Sequence, residues 1–231
     1  GVSALKTAVL FGANASGKSN LIKAIEFGKD IVLKGTKTEQ PINFDVFKLD
    51  KKFTKGNSYI EYEIQHKGKN YAFGFIFNSK EIVDEWLFET NKTSETKIFE
   101  RSNTNNFDLS YLFKKNKKEK EKQFIEFTAK GTPRNQLFLT QIRNTNVTDN
   151  VSDISDILNV IDWFQNALTV IYPSSKNIGK KFELLKDTNL QQLFTEMLDY
   201  FDTGIDGIDF KNVDFDKIQV PDELKEDINN D

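Results

Sequence analysis

The stretch GANASGKSN, Gly12 to Asn20, sets two glycines, a lysine and a serine at the spacing that grips a polyphosphate. Glycines at 12 and 17 let the backbone fold tightly enough to aim successive N–H groups at phosphate oxygens. A helix beginning near Lys18 adds the positive end of its dipole. Lys18 has the charge and reach for the β- and γ-phosphates, and the Ser19 hydroxyl suits Mg²⁺. Gly12, Ala13, Asn14, Ala15, Ser16, Gly17, Lys18, Ser19 and Asn20 are therefore the expected nucleotide-binding set, with Lys18 also catalytic, Ser19 a metal ligand, and ATP and Mg²⁺ the cofactors. A GTP-selective relative would carry Asn-Lys-x-Asp to read the base, and the nearest string, NKTS at Asn91, lacks the Asp. Protein kinases use a different glycine loop altogether.

A phosphate loop needs a strand before it and a helix after it. Thr7 to Phe11 is a short β-friendly apolar run ending at a glycine, which predicts a buried parallel strand. From Lys18 the pattern turns helical, with Leu21, Ala24 and Ile25 on one face, and fades after Gly28.

From Tyr59 the hydrophobic period becomes two. Ile60, Tyr62 and Ile64 share one face; after the polar HKGKN, so do Tyr71, Phe73, Phe75 and Phe77, which predicts a β-hairpin. IVDEWLFE (Ile82 to Glu89) and KIFER (Lys97 to Arg101) extend this to an antiparallel sheet of about four strands. QLFLTQ, Gln136 to Gln141, reads as a strand, Val151 to Leu168 as a helix, LTVIYP as a further buried strand closed by Pro173, and Leu190 to Phe201 as a last helix before an acidic tail. These patterns divide the chain into a P-loop strand–helix segment (1–56), an antiparallel β lobe (57–113), a charged linker or helix (114–134) and a return segment (135–231). The fold class expected is α/β, a P-loop nucleotide-binding fold with a mixed sheet, an inserted antiparallel lobe and helices.

Composition removes several function classes. The 231 residues are 38% hydrophobic and include 21 Phe, enough for a substantial core. Thirty-two basic residues against 35 acidic ones leave a net charge of −3, so the field of the whole molecule does not draw it to DNA or anionic lipid. The basic run KKNKKEKEK, Lys114 to Lys122, is diluted by glutamates and lacks aromatic residues for stacking on bases; it reads as a solvated linker or exposed helix start, and nucleic acid stays a weakly supported partner. With no Cys and a single His, thiolate sites and zinc clusters are excluded, and His66 is expected to be a solvated turn residue. No apolar segment approaches the roughly 20 residues of a membrane span, and the N-terminus lacks a secretory cleavage pattern, so no membrane partner and a cytoplasmic address are expected.

Together with FKLD (Phe47 to Asp50), NYAFGFIFNSKEIVDEWLFE, NQLFLT, DWFQNALTVIYP and FDTGI (Phe201 to Ile205), the string GANASGKSNLIKAI resembles the bacterial AAA family ATPases with an ABC-type head. These include ATPase subunits of phage-defence and abortive-infection systems, relatives of the overcoming-lysogenization-defect proteins and, more distantly, of SMC proteins. The resemblance implies an ABC-type head architecture and two heads dimerising around ATP to control an effector partner of nuclease type. In such heads a glutamine after the antiparallel lobe contacts Mg²⁺ and the attacking water; Gln141 is the candidate for that catalytic and metal-binding place, with Asn144 as the alternative.

Hydrolysis also needs a carboxylate on Mg²⁺ and a group to position water. In this family they follow four consecutive apolar residues on a strand, and neither LTVIYP nor DFKNVDFDK (Asp209 to Lys217) supplies that segment. The resemblance places those carboxylates and the serine-glycine signature beyond Asp231, so the chain reads as the N-terminal part of one ATPase head. It is expected to hold nucleotide and to hydrolyse little by itself; a nucleotide-sensing scaffold and a DNA-repair head are the other readings.

Overall fold

The computed structural model describes residues 7–46, 56–145, 147–172, 187–205 and 207. The chain divides into two compact units, Gly1–Val170 and Ile171–Asp231.

In the first unit α1 runs Lys18–Lys34 and stops at Gly35, whose φ of 67° lies in the left-handed region. The helix therefore continues past Gly28 for six further residues. Gly28 is buried and allows the crossing over the sheet: a Cβ there would stand 2.0 Å from the Tyr62 hydroxyl. That hydroxyl donates to the Ile25 carbonyl at 2.9 Å, and burial raises its pKa.

Five antiparallel strands follow in chain order: β1 (Ser58–His66), β2 (Lys69–Phe77), β3 (Ile82–Thr90), β4 (Glu95–Ser102) and β5 (Asn106–Asp108). The hairpin at HKGKN forms with Lys67 and Gly68 at its tip, both at positive φ, the geometry that matches strand twist. β5 is one short strand more than the period-two pattern revealed. One face of the sheet carries the core. Tyr71, Phe73, Phe75, Phe77, Leu87 and Phe99 are almost wholly excluded from solvent.

Helices α2 (Ser110–Lys115), α3 (Glu119–Lys130), α4 (Phe138–Asn144), α5 (Val147–Asn150) and α6 (Ser155–Asp162) complete the unit. A π-helical turn, Trp163–Ala167, extends α6. It brings Phe164 edge-on to Tyr62 and Phe73, with ring centroids at 4.9 and 5.8 Å. The basic run is the end of α2 and the start of α3. Within it Lys115 pairs with Asp153 at 3.0 Å and Lys118 with Glu121 at 3.4 Å.

Four expectations are corrected. Thr7 to Phe11 is neither paired nor buried: Val9, Leu10 and Phe11 are 68%, 59% and 87% exposed, because no described strand offers a ladder to it. QLFLTQ is a turn leading into α4, since the Glu85 carboxylate accepts the N–H groups of Phe138 and Leu139 and starts a helix there. Leu168 to Tyr172 is not a strand; Lys29 takes the Leu168 carbonyl at 2.6 Å, and Ile171 is 58% exposed. His66 is not solvated in a turn. It ends β1, with Nε2 2.7 Å from the Asp162 carboxylate. Lys67, then His66 and Asn166, hold that carboxyl far below the usual range.

In the second unit, Asp187 caps α7 (Thr188–Tyr200) by accepting from the Asn189 and Leu190 amides. Phe47 to Asp50, Pro173 and the acidic stretches after Gly207 lie outside the described residues.

Candidate functional site

The glycine loop turns an extended segment into α1 within a few residues. The Ser16 amide donates to the Ala13 carbonyl at 3.2 Å, with Ala15 at φ 63° and Gly17 at φ 94°. A left-handed alanine costs about 1–2 kcal/mol, the kind of strain that functional loops hold. At Gly12 a Cβ would stand 2.6 Å from Ser16 Oγ, so a larger residue there would make that hydroxyl turn away.

At its N-terminus α1 has no side-chain cap and no acidic residue in the first turn. Asn20 and Leu21 bond back to the Gly17 carbonyl, and the first amides of the helix have no side-chain cap. Residues 14–20 line an open concavity of about 370 Å³ there. The Lys18 ammonium folds over its rim, donating to the carbonyls of Gly12 at 2.6 Å and Ala13 at 2.7 Å, and lies 3.4 Å from Ser16 Oγ.

Uncapped amides, one ammonium, one Ser19 hydroxyl and no carboxylate make a site for an anion. The residues present thus fit a polyphosphate. A phosphate oxygen offers Lys18 a charged acceptor, which makes a stronger hydrogen bond than the loop carbonyls it now holds. Among the residues lining the concavity, the Ser19 hydroxyl is an oxygen that would suit Mg²⁺ if nucleotide bound there.

Gln141 and Asn144 lie elsewhere on this frame. Both are on α4, which docks on the opposite end of α1. Thr140 Oγ1 donates to the Ile31 and Val32 carbonyls at 3.1 and 3.0 Å, and Arg143 reaches the Leu33 carbonyl at 2.7 Å. Ser19 and Ile31 are twelve residues apart, about 18 Å along a helix. The structure brings residues 12–20 together and places Gln141 at the far end of the helix that carries them.

The segment joining them was not legible as functional. Gln136 Nε2 donates to the Thr36 carbonyl at 2.5 Å, and Asn135 Nδ2 to those of Lys37 and Gln40 at 2.8 Å each. With Thr140 and Arg143, these side chains satisfy the carbonyls at the end of α1 and just beyond it, so the loop helix is gripped by its C-terminal end. A second polar hub, also missed, is Asp156. It accepts from Lys69 at 2.7 Å and from the Tyr71 and Tyr111 hydroxyls at 3.0 Å each, tying β2, α2 and α6 together. Burial opposes its charge, but these donors prevail and hold its pKa below the usual carboxylate value.

Among the described residues no group of three or more His, Cys, Asp or Glu side chains is arranged to hold a metal ion, and no helix is long and apolar enough to cross a membrane. A family model described as "AAA domain, putative AbiEii toxin, Type IV TA system" matches residues 8–231. No curated protein and no solved structure matches the chain.

Proposed function

The chain belongs to this AAA-domain family, and from that premise we propose that Gly12 to Asn20 hold the phosphates of ATP with Mg²⁺. The observation that carries the reading is the mouth of the loop: an uncapped helix start, with the Lys18 ammonium held, among the described residues, by the carbonyls and hydroxyl of its own loop. In this reading the amides near residues 13–19 orient the phosphates. Lys18 leaves the Gly12 and Ala13 carbonyls to bridge the outer two, and Ser19 anchors the metal. Bound Mg²⁺ supplies charge neutralisation at the phosphate oxygens.

The finer reading is an ABC-type head that hydrolyses ATP as a dimer and controls a nuclease-like effector in phage defence. Its support is the antiparallel lobe that follows the loop helix and the toxin–antitoxin description of the family. Gln141, or Asn144 in its place, is the water- and Mg²⁺-contacting residue in that scheme, which requires α4 to release its Thr140 and Arg143 bonds to the end of α1 and move to the loop mouth. A nucleotide-sensing scaffold, in which binding rather than hydrolysis orders an interaction surface, is the second reading.

The test uses one preparation for two measurements. ATP with Mg²⁺ at a hundredfold its Kd should stabilise the fold by about 2.7 kcal/mol, and phosphate release should stay well below about 1 s⁻¹, the low end for competent enzymes. No stabilisation at millimolar ATP contradicts nucleotide binding. Release at or above that rate contradicts the expectation that this chain by itself hydrolyses little.

A further inference from the structure

The sheet has a second face, opposite the core, with an aromatic centre. Trp86 on β3 lies across Gly74 on β2, where a Cβ would come within 2.4 Å of indole Cζ2, so only glycine lets the ring settle there. The indole N–H donates to Glu61 at 2.7 Å, and the Tyr59 ring lies beside it with centroids 5.6 Å apart and planes 30° from parallel. Phe88, two residues along β3, shares the face.

Carboxylates surround this aromatic centre. Cross-strand pairing sets Glu61, Gly74, Trp86 and Glu100 in one row, and Glu63, Ala72, Phe88 and Lys97 in the next. Lys97 is already shared between Glu100 and Asp108. Tyr59, Glu61 and Glu63 are exposed.

A glycine inside a strand weakens it, and a half-buried indole on the face away from the core adds little to that core. Together they make a rigid, pre-organised aromatic platform of the sort that anchors interfaces. The sign of the rim selects the occupant: carboxylates repel nucleic acid and anionic lipid, and attract a cation that can also lie on an indole. We infer that this outer face docks an arginine-rich segment of a protein partner, with a guanidinium laid on Trp86 and bonded to Glu61 or its neighbours. Such docking does not depend on the nucleotide site.

The chain has two tryptophans, Trp86 and Trp163, so a ¹⁵N-correlation spectrum shows two indole N–H peaks, and Trp86→Phe assigns them. The probe is the peptide Ac-RGRGRGR-NH₂ at millimolar concentration. The Trp86 peak should move saturably while that of Trp163 stays, and the triple variant Glu61→Gln, Glu63→Gln, Glu100→Gln should weaken binding at least about fivefold. A side-chain amide oxygen at position 61 still accepts from the indole, so the platform survives the substitution. Should that variant misfold, raising NaCl from about 50 to about 300 mM with the wild type should weaken binding by a similar factor. An unmoved Trp86 peak, affinity insensitive to both changes, or an equal shift with Ac-EGEGEGE-NH₂ or a ten-nucleotide oligothymidylate overturns the assignment.

Discussion

Glu85 and Arg101 face each other across β3 and β4, both side chains wholly buried, with 3.9 Å between carboxylate and guanidinium. Neither relies on the other alone. Glu85 accepts the Phe138 amide at 2.6 Å and the Leu139 amide at 2.9 Å, while Arg101 donates to the carbonyls of Thr104 and Gln136. One ion pair thus fastens the sheet to the segment that grips the end of the loop helix.

Removing one partner leaves a buried charge and two unpaired amides. Glu85→Ala is expected to cost about 3–5 kcal/mol, far more than the carboxylate's lost packing. Urea denaturation checks it; a loss under about 1 kcal/mol would show that the pair is not a structural fastener.

The same carboxyl gives the stability a pH dependence. Burial pushes the Glu85 pKa up to about 7 against the pull of Arg101 and of the Leu139 and Phe138 amides. Arg101 faces it from β4, and Glu81, paired with Arg134, adds charge nearby. A carboxyl whose folded pKa is raised binds its proton more tightly in the native state. Its contribution is therefore full below the unfolded value near 4.5 and is lost as pH rises through about 7. The wild type should lose stability relative to Glu85→Gln between pH 5 and 8, measured as the difference between their denaturation midpoints. A difference that is flat or of opposite slope contradicts this.

Gly28→Ala sets helix propensity against space. Alanine favours a helix by about 1 kcal/mol over glycine. Here its methyl would meet the Tyr62 hydroxyl at 2.0 Å and ring atoms at 2.9 and 3.0 Å, and overpacking of that kind costs about 1–3 kcal/mol. The clash is expected to win, lowering the melting temperature; a rise would mean that α1 does not sit on the sheet as described.

Ser19→Ala should separate the metal from the phosphates. ATP binding with Mg²⁺ is expected to weaken about tenfold, while binding with EDTA in place of Mg²⁺ stays within about twofold of wild type. Equal weakening in both conditions would mean that the hydroxyl serves the loop rather than the cation.

What was legible in the chain was local. The glycine loop announces itself because its glycines, lysine and serine stand within one contiguous stretch, and the hairpin because alternation over Tyr59 to Phe77 and a Lys-Gly turn act within twenty residues. What was not legible depended on distant partners. QLFLTQ has strand-like residues, yet a glutamate 53 positions away in the chain caps it as a helix. Thr7 to Phe11 has β propensity without a described neighbour to pair with, and propensity alone does not bury a strand. Asp156 carries no local mark of its role in the sequence, because its three donors come from β2 and α2.

The central claim is that residues 12–20 grip a polyphosphate through backbone amides and Lys18, and calorimetric titration of the folded chain with ATP and Mg²⁺ tests it most directly. The account predicts saturable binding to the wild type and a loss of at least about a hundredfold in Lys18→Ala, whose melting temperature without nucleotide stays close to wild type. No heat from the wild type, or the same affinity in both proteins, would contradict it.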